Sequence, residues 1–154
     1  LVFDYDIPEH CMVKGNLTVL NASMMNLVKN AAAYSKGSEM GIKIVAENNR
    51  FYTFSFWDNG QGVAEEHIPM LFERFYRVDK GRSRKAGGTG LGLSIVRSSI
   101  NTIGGTISVR NRAGGGLEFI FTLARWSNEK NKDNTAKTDE ASEAADNPIQ
   151  EPEA

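Results

Sequence analysis

Gly87-Gly88-Thr89-Gly90-Leu91-Gly92-Leu93-Ser94-Ile95-Val96 places four glycines in six residues and runs straight into an apolar helical pattern. Glycine removes the side chain where a backbone must come close to a ligand. A glycine-rich entry also leaves the first N–H groups of a helix facing outward, a seat for phosphate. The run is not the Gly-x-x-x-x-Gly-Lys-Ser/Thr of a P-loop. It is not the dinucleotide fingerprint either, because Leu93 stands where the third glycine belongs and no strand precedes it. On its own the run reads equally as a phosphate seat and as a flexible hinge.

The pattern on either side describes the fold. Leu93, Val96, Ile100 and Ile103 share one helical stripe, stopped by Gly104-Gly105. Residues 106–110 and 117–124 read as two strands joined through Gly114-Gly115-Gly116. Upstream, residues 78–88 are polar, basic and glycine-containing and read as a mobile loop, and 67–76 read as a short helix with Pro69 early in it. Residues 41–57 alternate about Asn48-Asn49-Arg50, as a β-hairpin does. Leu17, Leu20, Met24, Leu27, Val28 and Ala31 form the stripe of a first long helix that ends at Lys36-Gly37-Ser38, and residues 1–5 read as a short strand. Strand, helix, hairpin, loop, helix, hairpin is an α+β order. It predicts a two-layer α/β sandwich, a mixed sheet covered on one face by helices.

Composition narrows the class. The net charge of −1 joins a domain of 15 bases and 11 acids (residues 1–126) to a tail of 3 lysines and 8 acids (127–154), which reads as disordered. Six of the bases fall between Arg74 and Lys85, a cluster suited to a nucleotide triphosphate or equally to a solvated loop. Cys11 is the only cysteine, so neither an internal disulfide nor a multi-cysteine metal site is available. No run of about 18 apolar residues exists to span a membrane, and no signal peptide is visible. The start at Leu1, inside a strand-like run, reads as a fragment of a longer protein.

Two further constellations carry chemistry. Asn26 and Asn30 stack one turn apart, opposite the apolar stripe, with the small residues Ala22, Ser23 and Ala33 around them. Two amide oxygens so placed suit Mg²⁺ or its waters, or are simply exposed. Asp58-Asn59-Gly60-Gln61-Gly62 follows a strand and offers a carboxylate to an exocyclic amine such as adenine's, or forms an ordinary Asx turn.

In order along the chain, Asn26–Ala31, Asp58–Gly62, Leu71–Arg77 and Gly88–Ile95 resemble the N, G1, F and G2 boxes of the catalytic ATP-binding domain of sensor histidine kinases. The resemblance covers about residues 1–126. The F box and the Gly-Thr-Gly-Leu-Gly-Leu run set it apart from topoisomerases, mismatch-repair ATPases and heat-shock chaperone ATPases of the same fold.

The resemblance implies ATP and Mg²⁺ as cofactors. Asn30 would coordinate the metal, with Asn26 in its shell or near the phosphates. Asp58 would bind the adenine amine in a pocket shaped by Gly60 and Gly62, with Tyr34 near the base. Arg77, Arg82, Arg84 and Lys85 would neutralise phosphates, and Gly88, Thr89, Gly90, Leu91 and Gly92 would close a lid over them, with Phe72 and Phe75 anchoring it in the core. The γ-phosphoryl group would pass to a histidine on an adjoining dimerisation domain, with a response regulator downstream and no nucleic-acid or membrane contact by this segment. The location implied is cytoplasmic, with inner-membrane anchorage of the parent left open.

Two departures stand out. Ala33 replaces a lysine that many members carry, for which Lys29 or Lys36 is a candidate substitute. The only histidines, His10 and His67, lack the setting of a phosphoacceptor. Two rivals remain: an ATP-binding conformational or assembly module, and a nucleotide-free interaction domain.

Overall fold

A computed structural model describes residues 1–78 and 89–126. The expected loop at 79–88 and the tail from 127 lie outside the described residues. Five strands, β1 (Val2–Asp6), β2 (Glu39–Glu47), β3 (Phe51–Asp58), β4 (Ile107–Asn111) and β5 (Leu117–Ala124), form one mixed sheet in the order β1-β2-β3-β5-β4. β1 runs parallel to β2 and the other neighbours are antiparallel. The parallel pair is linked through helix α1 (Leu17–Asn30), and β3 is linked to β4 through a 3₁₀ segment (Glu65–Met70) and helix α2 (Gly92–Thr102).

One face of the sheet makes the core. Tyr52, Phe54 and Phe56 on β3 stand opposite Leu123, Phe121 and Phe119 on β5, and all six are buried. Phe54 stacks on Phe121 with ring centroids 5.3 Å apart. Leu27 and Ala31 close this face from the first helical segment, Val96 and Ile100 from α2, and Phe72 meets Phe119 edge-on. Truncating Phe56 or Phe119 to alanine costs about 3–5 kcal/mol on the usual scale for a buried aromatic. The two-layer reading therefore holds.

Four local expectations are corrected. The α1 stripe packs against the core at Leu20, Met24, Leu27 and Val28 and continues to Ala31, but Leu17 is exposed. Ser23 tolerates full burial because its Oγ donates to the Val19 carbonyl at 2.9 Å, so it does not belong to the ligand face. The helix expected over 67–76 is only the 3₁₀ segment, since Pro69 would fall inside an α-helix starting at Glu65 and clash with the preceding turn. Phe75 then takes a left-handed backbone (φ 64°) and is 71% exposed, so Phe72 alone is core. A glycine does stand at the helix end as expected, with the C-cap Lys36 before it holding the left-handed position (φ 55°). Gly37 is required for space, because a Cβ there would meet the Gly60 N at 2.8 Å.

Candidate nucleotide site

The polar ends of the layers meet at two clusters joined by one helical rod. α1 is capped by Asn16, whose Oδ1 accepts from Thr18 and Val19 N–H. It passes at Asn30 into a π-helical turn, Ala31–Ser35. Such turns appear often at functional sites, and nothing in the Ala31-Ala32-Ala33 run signalled it.

At the far end of this rod sits the first cluster. Ser35 O accepts from Gln61 N–H at 3.0 Å, and a Cβ on Gly60 would collide with that same carbonyl. Asn59 Oδ1 accepts from Ser38 and Glu39 N–H, each at 2.9 Å, tying the loop to the start of β2. On the other side Gly115 and Gly116, with φ of 109° and 90°, press against Gly60 and Asp58. A Cβ on Gly115 would meet the Gly60 carbonyl at 2.8 Å.

Asp58 is 3% exposed, and its Oδ1 accepts from Gly60 N–H at 2.9 Å. Burial pushes its carboxyl above the usual carboxylate range, opposed by the Gly60 and Leu117 N–H groups and by the Arg112 charge. Arg112 itself lies over the Trp57 ring, 4.2 Å from the centroid. Tyr34, on the π turn next to Ser35, is 41% exposed. The predicted Asp58, Gly60 and Gly62 are thus brought together beside Tyr34's segment.

The second cluster gathers around the start of α2. That helix has no side-chain cap at Leu91, and a Cβ on Gly92 would lie 3.3 Å from Asn26 Oδ1. Asn26 and the glycine run therefore face each other directly. Asn26 also donates to the Ala22 carbonyl at 2.9 Å, while Asn30 makes no side-chain capping bond. Phe75 N–H donates to the Gly90 carbonyl at 2.9 Å, and Gly90 (φ 72°) has no room for a Cβ against Phe75. Two residues on, Arg77 Nη2 is buried without a hydrogen-bond partner among the described residues. An orphaned buried guanidinium nitrogen is an unstable arrangement unless an anion meets it. Thr89 is exposed, its Oγ1 3.4 Å from Leu91 N. Arg82, Arg84, Lys85 and Gly88 lie outside the described residues.

These features fit a metal-bound triphosphate. No group of three His, Cys, Asp or Glu is placed for a metal among the described residues. Asn26 and Asn30 offer amide oxygens, a donor type compatible with Mg²⁺, which binds few protein ligands. A polar groove of about 330 Å³ between Glu73, Arg74, Arg97 and Asn101 holds none of the expected site residues. No helix of the described residues is long and apolar enough to cross a membrane. Sequence reasoning missed Ser35, Asn59, Asn111, Arg112 and Gly116, of which only the triple glycine carried a signal, taken simply as a turn.

The profile of the histidine kinase-, DNA gyrase B- and HSP90-like ATPases matches residues 16–126. The sensor-like histidine kinase SenX3 of Mycobacterium tuberculosis is 40% identical over 119 residues, which are 77% of this chain and 29% of that protein. The sensor histidine kinase CusS of Escherichia coli K12 is 35% identical over 117 residues, 76% of this chain and 24% of that protein. The chain thus spans less than a third of the length of these curated relatives. Among solved structures, the catalytic domain of histidine kinase ThkA superposes with a TM-score of 0.65 at 29% identity, covering 80% of this chain and 78% of that one.

Proposed function

The chain belongs to the family of histidine kinase-, DNA gyrase B- and HSP90-like ATPases, and from that premise we propose that residues 1–126 are the catalytic domain of a sensor histidine kinase that binds Mg·ATP. The observation that carries the reading is Asp58, a carboxylate buried at a strand end and packed against the backbones of Gly60 and Gly116. Asp58 accepts the adenine amine, with Gly60 and Gly62 forming the wall of the pocket and Tyr34 beside the base. Asn30 holds Mg²⁺, which neutralises phosphate charge, and Asn26 orients the phosphate chain beside Gly92. Arg77 directs its unpartnered Nη2 to a phosphate oxygen. The uncapped N–H groups of α2 add the positive end of a helix.

No side chain in this set is a nucleophile, and none is needed. Phosphoryl transfer is catalysed chiefly by positioning and charge neutralisation. An imidazole nitrogen of a histidine on an adjoining helical-hairpin dimerisation domain attacks the γ-phosphorus. The bond to the β-phosphate oxygen breaks and ADP leaves. The phosphoryl group then passes to a response regulator, and the domain works in the cytoplasm.

The test supplies the helical-hairpin domain of a sensor kinase in trans with γ-labelled ATP. Acid-labile label on its histidine is the expected result. ATP binding without label transfer reduces the chain to a nucleotide-binding module. No thermal shift with Mg·ATP removes the reading entirely.

A further inference from the structure

Asn111 ends β4, outside every motif quoted above. Its Oδ1 accepts from Val63 N–H at 3.0 Å, and its Nδ2 donates to Val63 C=O at 2.8 Å and to Glu65 Oε1 at 2.6 Å. One side chain thus satisfies both backbone groups of one residue, as an antiparallel strand neighbour would. The double bond also fixes the amide's orientation, because a flipped amide would set donor against donor and acceptor against acceptor. Val63 belongs to no strand or helix and packs against the core. Immediately before it, Gly62 is left-handed (φ 67°), and a Cβ there would meet Asn111 Oδ1 at 2.5 Å. Just beyond Asn111, Arg112 N–H donates to the Gly116 carbonyl at 2.9 Å, closing the turn that presses on Asp58 and Gly60. Asn111 is therefore the point where the end of β4 grips Gly62 and Val63, at the exit of the Asp58–Gly62 loop.

We propose that Asn111 is a positioning residue for base recognition: by clamping Val63 and confining Gly62, it holds the Asp58–Gly62 loop in the geometry that reads adenine, without touching the nucleotide. This inference rests on the reading of Asp58 as the adenine-binding group. A merely structural asparagine would lower stability and leave base selection alone. A positioning one changes the base side of binding and spares the phosphate side.

The experiment is calorimetric titration of wild-type and Asn111→Ala chains with Mg·ATP, Mg·GTP and inorganic tripolyphosphate, well below both melting temperatures. Thr122→Val serves as control, since it removes the acceptor of the Thr106 N–H from the same strand pair, away from the loop. Asn111→Ala is expected to weaken ATP about tenfold, narrow the preference for ATP over GTP, and leave tripolyphosphate unchanged, while Thr122→Val lowers only the melting temperature. If Asn111→Ala does not fold, Asn111→Ser carries the same measurement, because its hydroxyl cannot bridge both Val63 groups. Unchanged ATP affinity, or an equal loss for ATP and tripolyphosphate, overturns the positioning role while the proposed function stands. A wild-type chain that binds no ATP overturns both.

Discussion

The two ends of the site are built on opposite plans. Around Asp58 every neighbour is committed. Ser35 bonds the loop and Asn111 its exit, Asn59 ties it to the start of β2, and Gly60, Gly115 and Gly116 touch backbone so closely that no Cβ fits. Around Asn30 and Gly92 groups stand uncommitted: an amide without a capping bond, an orphaned Arg77 nitrogen, and a helix start with no side-chain cap. A rigid ring suits a pocket formed in advance, whereas a flexible, charged phosphate chain is met by donors that fold stability does not consume. The contrast predicts that stability and binding fall together at the first end and separate at the second.

Glycine substitution strains that contrast most. Gly116→Ala adds a Cβ against the Asp58 carbonyl at φ 90°. A left-handed alanine costs roughly 1–2 kcal/mol and overpacking about 1–3, so urea unfolding should register a loss of about 2–5 kcal/mol with ATP binding gone. Gly92→Ala, in a helical conformation and 3.3 Å from only the Asn26 amide oxygen, should leave stability the same or raise it by up to about 1 kcal/mol. It should still weaken ATP about tenfold. An unfolded Gly92→Ala chain, or a Gly116→Ala chain that binds normally, would break the comparison.

Asp58→Asn ranks next. Replacing the carboxylate proposed to meet the adenine amine should weaken ATP by about 1.5–3 kcal/mol, the range for a charged hydrogen bond, read by titration. Its pH dependence has a definite sign. Burial raises the folded carboxyl above its ordinary value, so the folded chain holds that proton more tightly than the unfolded one. Ionised Asp58 therefore destabilises the fold above its folded pKa, and this penalty fades as the pH falls through that value. Wild type should gain stability relative to Asp58→Asn as solutions are made more acidic from pH 7. A difference independent of pH would mean that the carboxyl is not displaced upward.

The third effect is smaller. Asn30→Ala removes an amide that caps nothing and that the proposed function assigns to the metal. Mg·ATP affinity should fall by about 1 kcal/mol, with the melting temperature held or slightly raised, as alanine is the better helix former. Mg²⁺ dependence equal to wild type would remove Asn30 from the metal's shell.

These contrasts also explain how much of the molecule was legible beforehand. Residues that act by chemical type announce themselves at fixed spacing. Asp58, the Asn26–Asn30 pair and the glycine run could be singled out that way, whereas the approach of Asn26 to Gly92 is visible only in the fold. The strands were legible because β2 and β3 alternate, and α2 because Val96 and Ile100 recur on one stripe. What escaped depends on tertiary partners. Asn111 and Asn59 look like any turn asparagine until the loop they hold is in place. The π turn answers to how Ser35 must meet Gln61, which no local period encodes. Only the 3₁₀ segment was available in principle, through Pro69.

Lys36 closes the rod at the base-side end, and the smallest effect expected is its own. Its left-handed backbone (φ 55°) costs a lysine roughly 1 kcal/mol that glycine avoids. Against this, its Nζ donates to Gln61 Oε1 at 3.2 Å in an exposed setting, where such a bond returns well under 1 kcal/mol. Lys36→Gly should therefore raise stability by about 0.5 kcal/mol, a shift of about 1–2 °C in melting temperature for a chain of this size. The same variant tests whether Lys36 replaces the lysine absent at Ala33. Its bond to Gln61 ties it to the base-side loop, so ATP and AMP affinities should both stay within twofold of wild type. A selective loss for ATP would instead move Lys36 to the phosphate end and blur the boundary between the two plans.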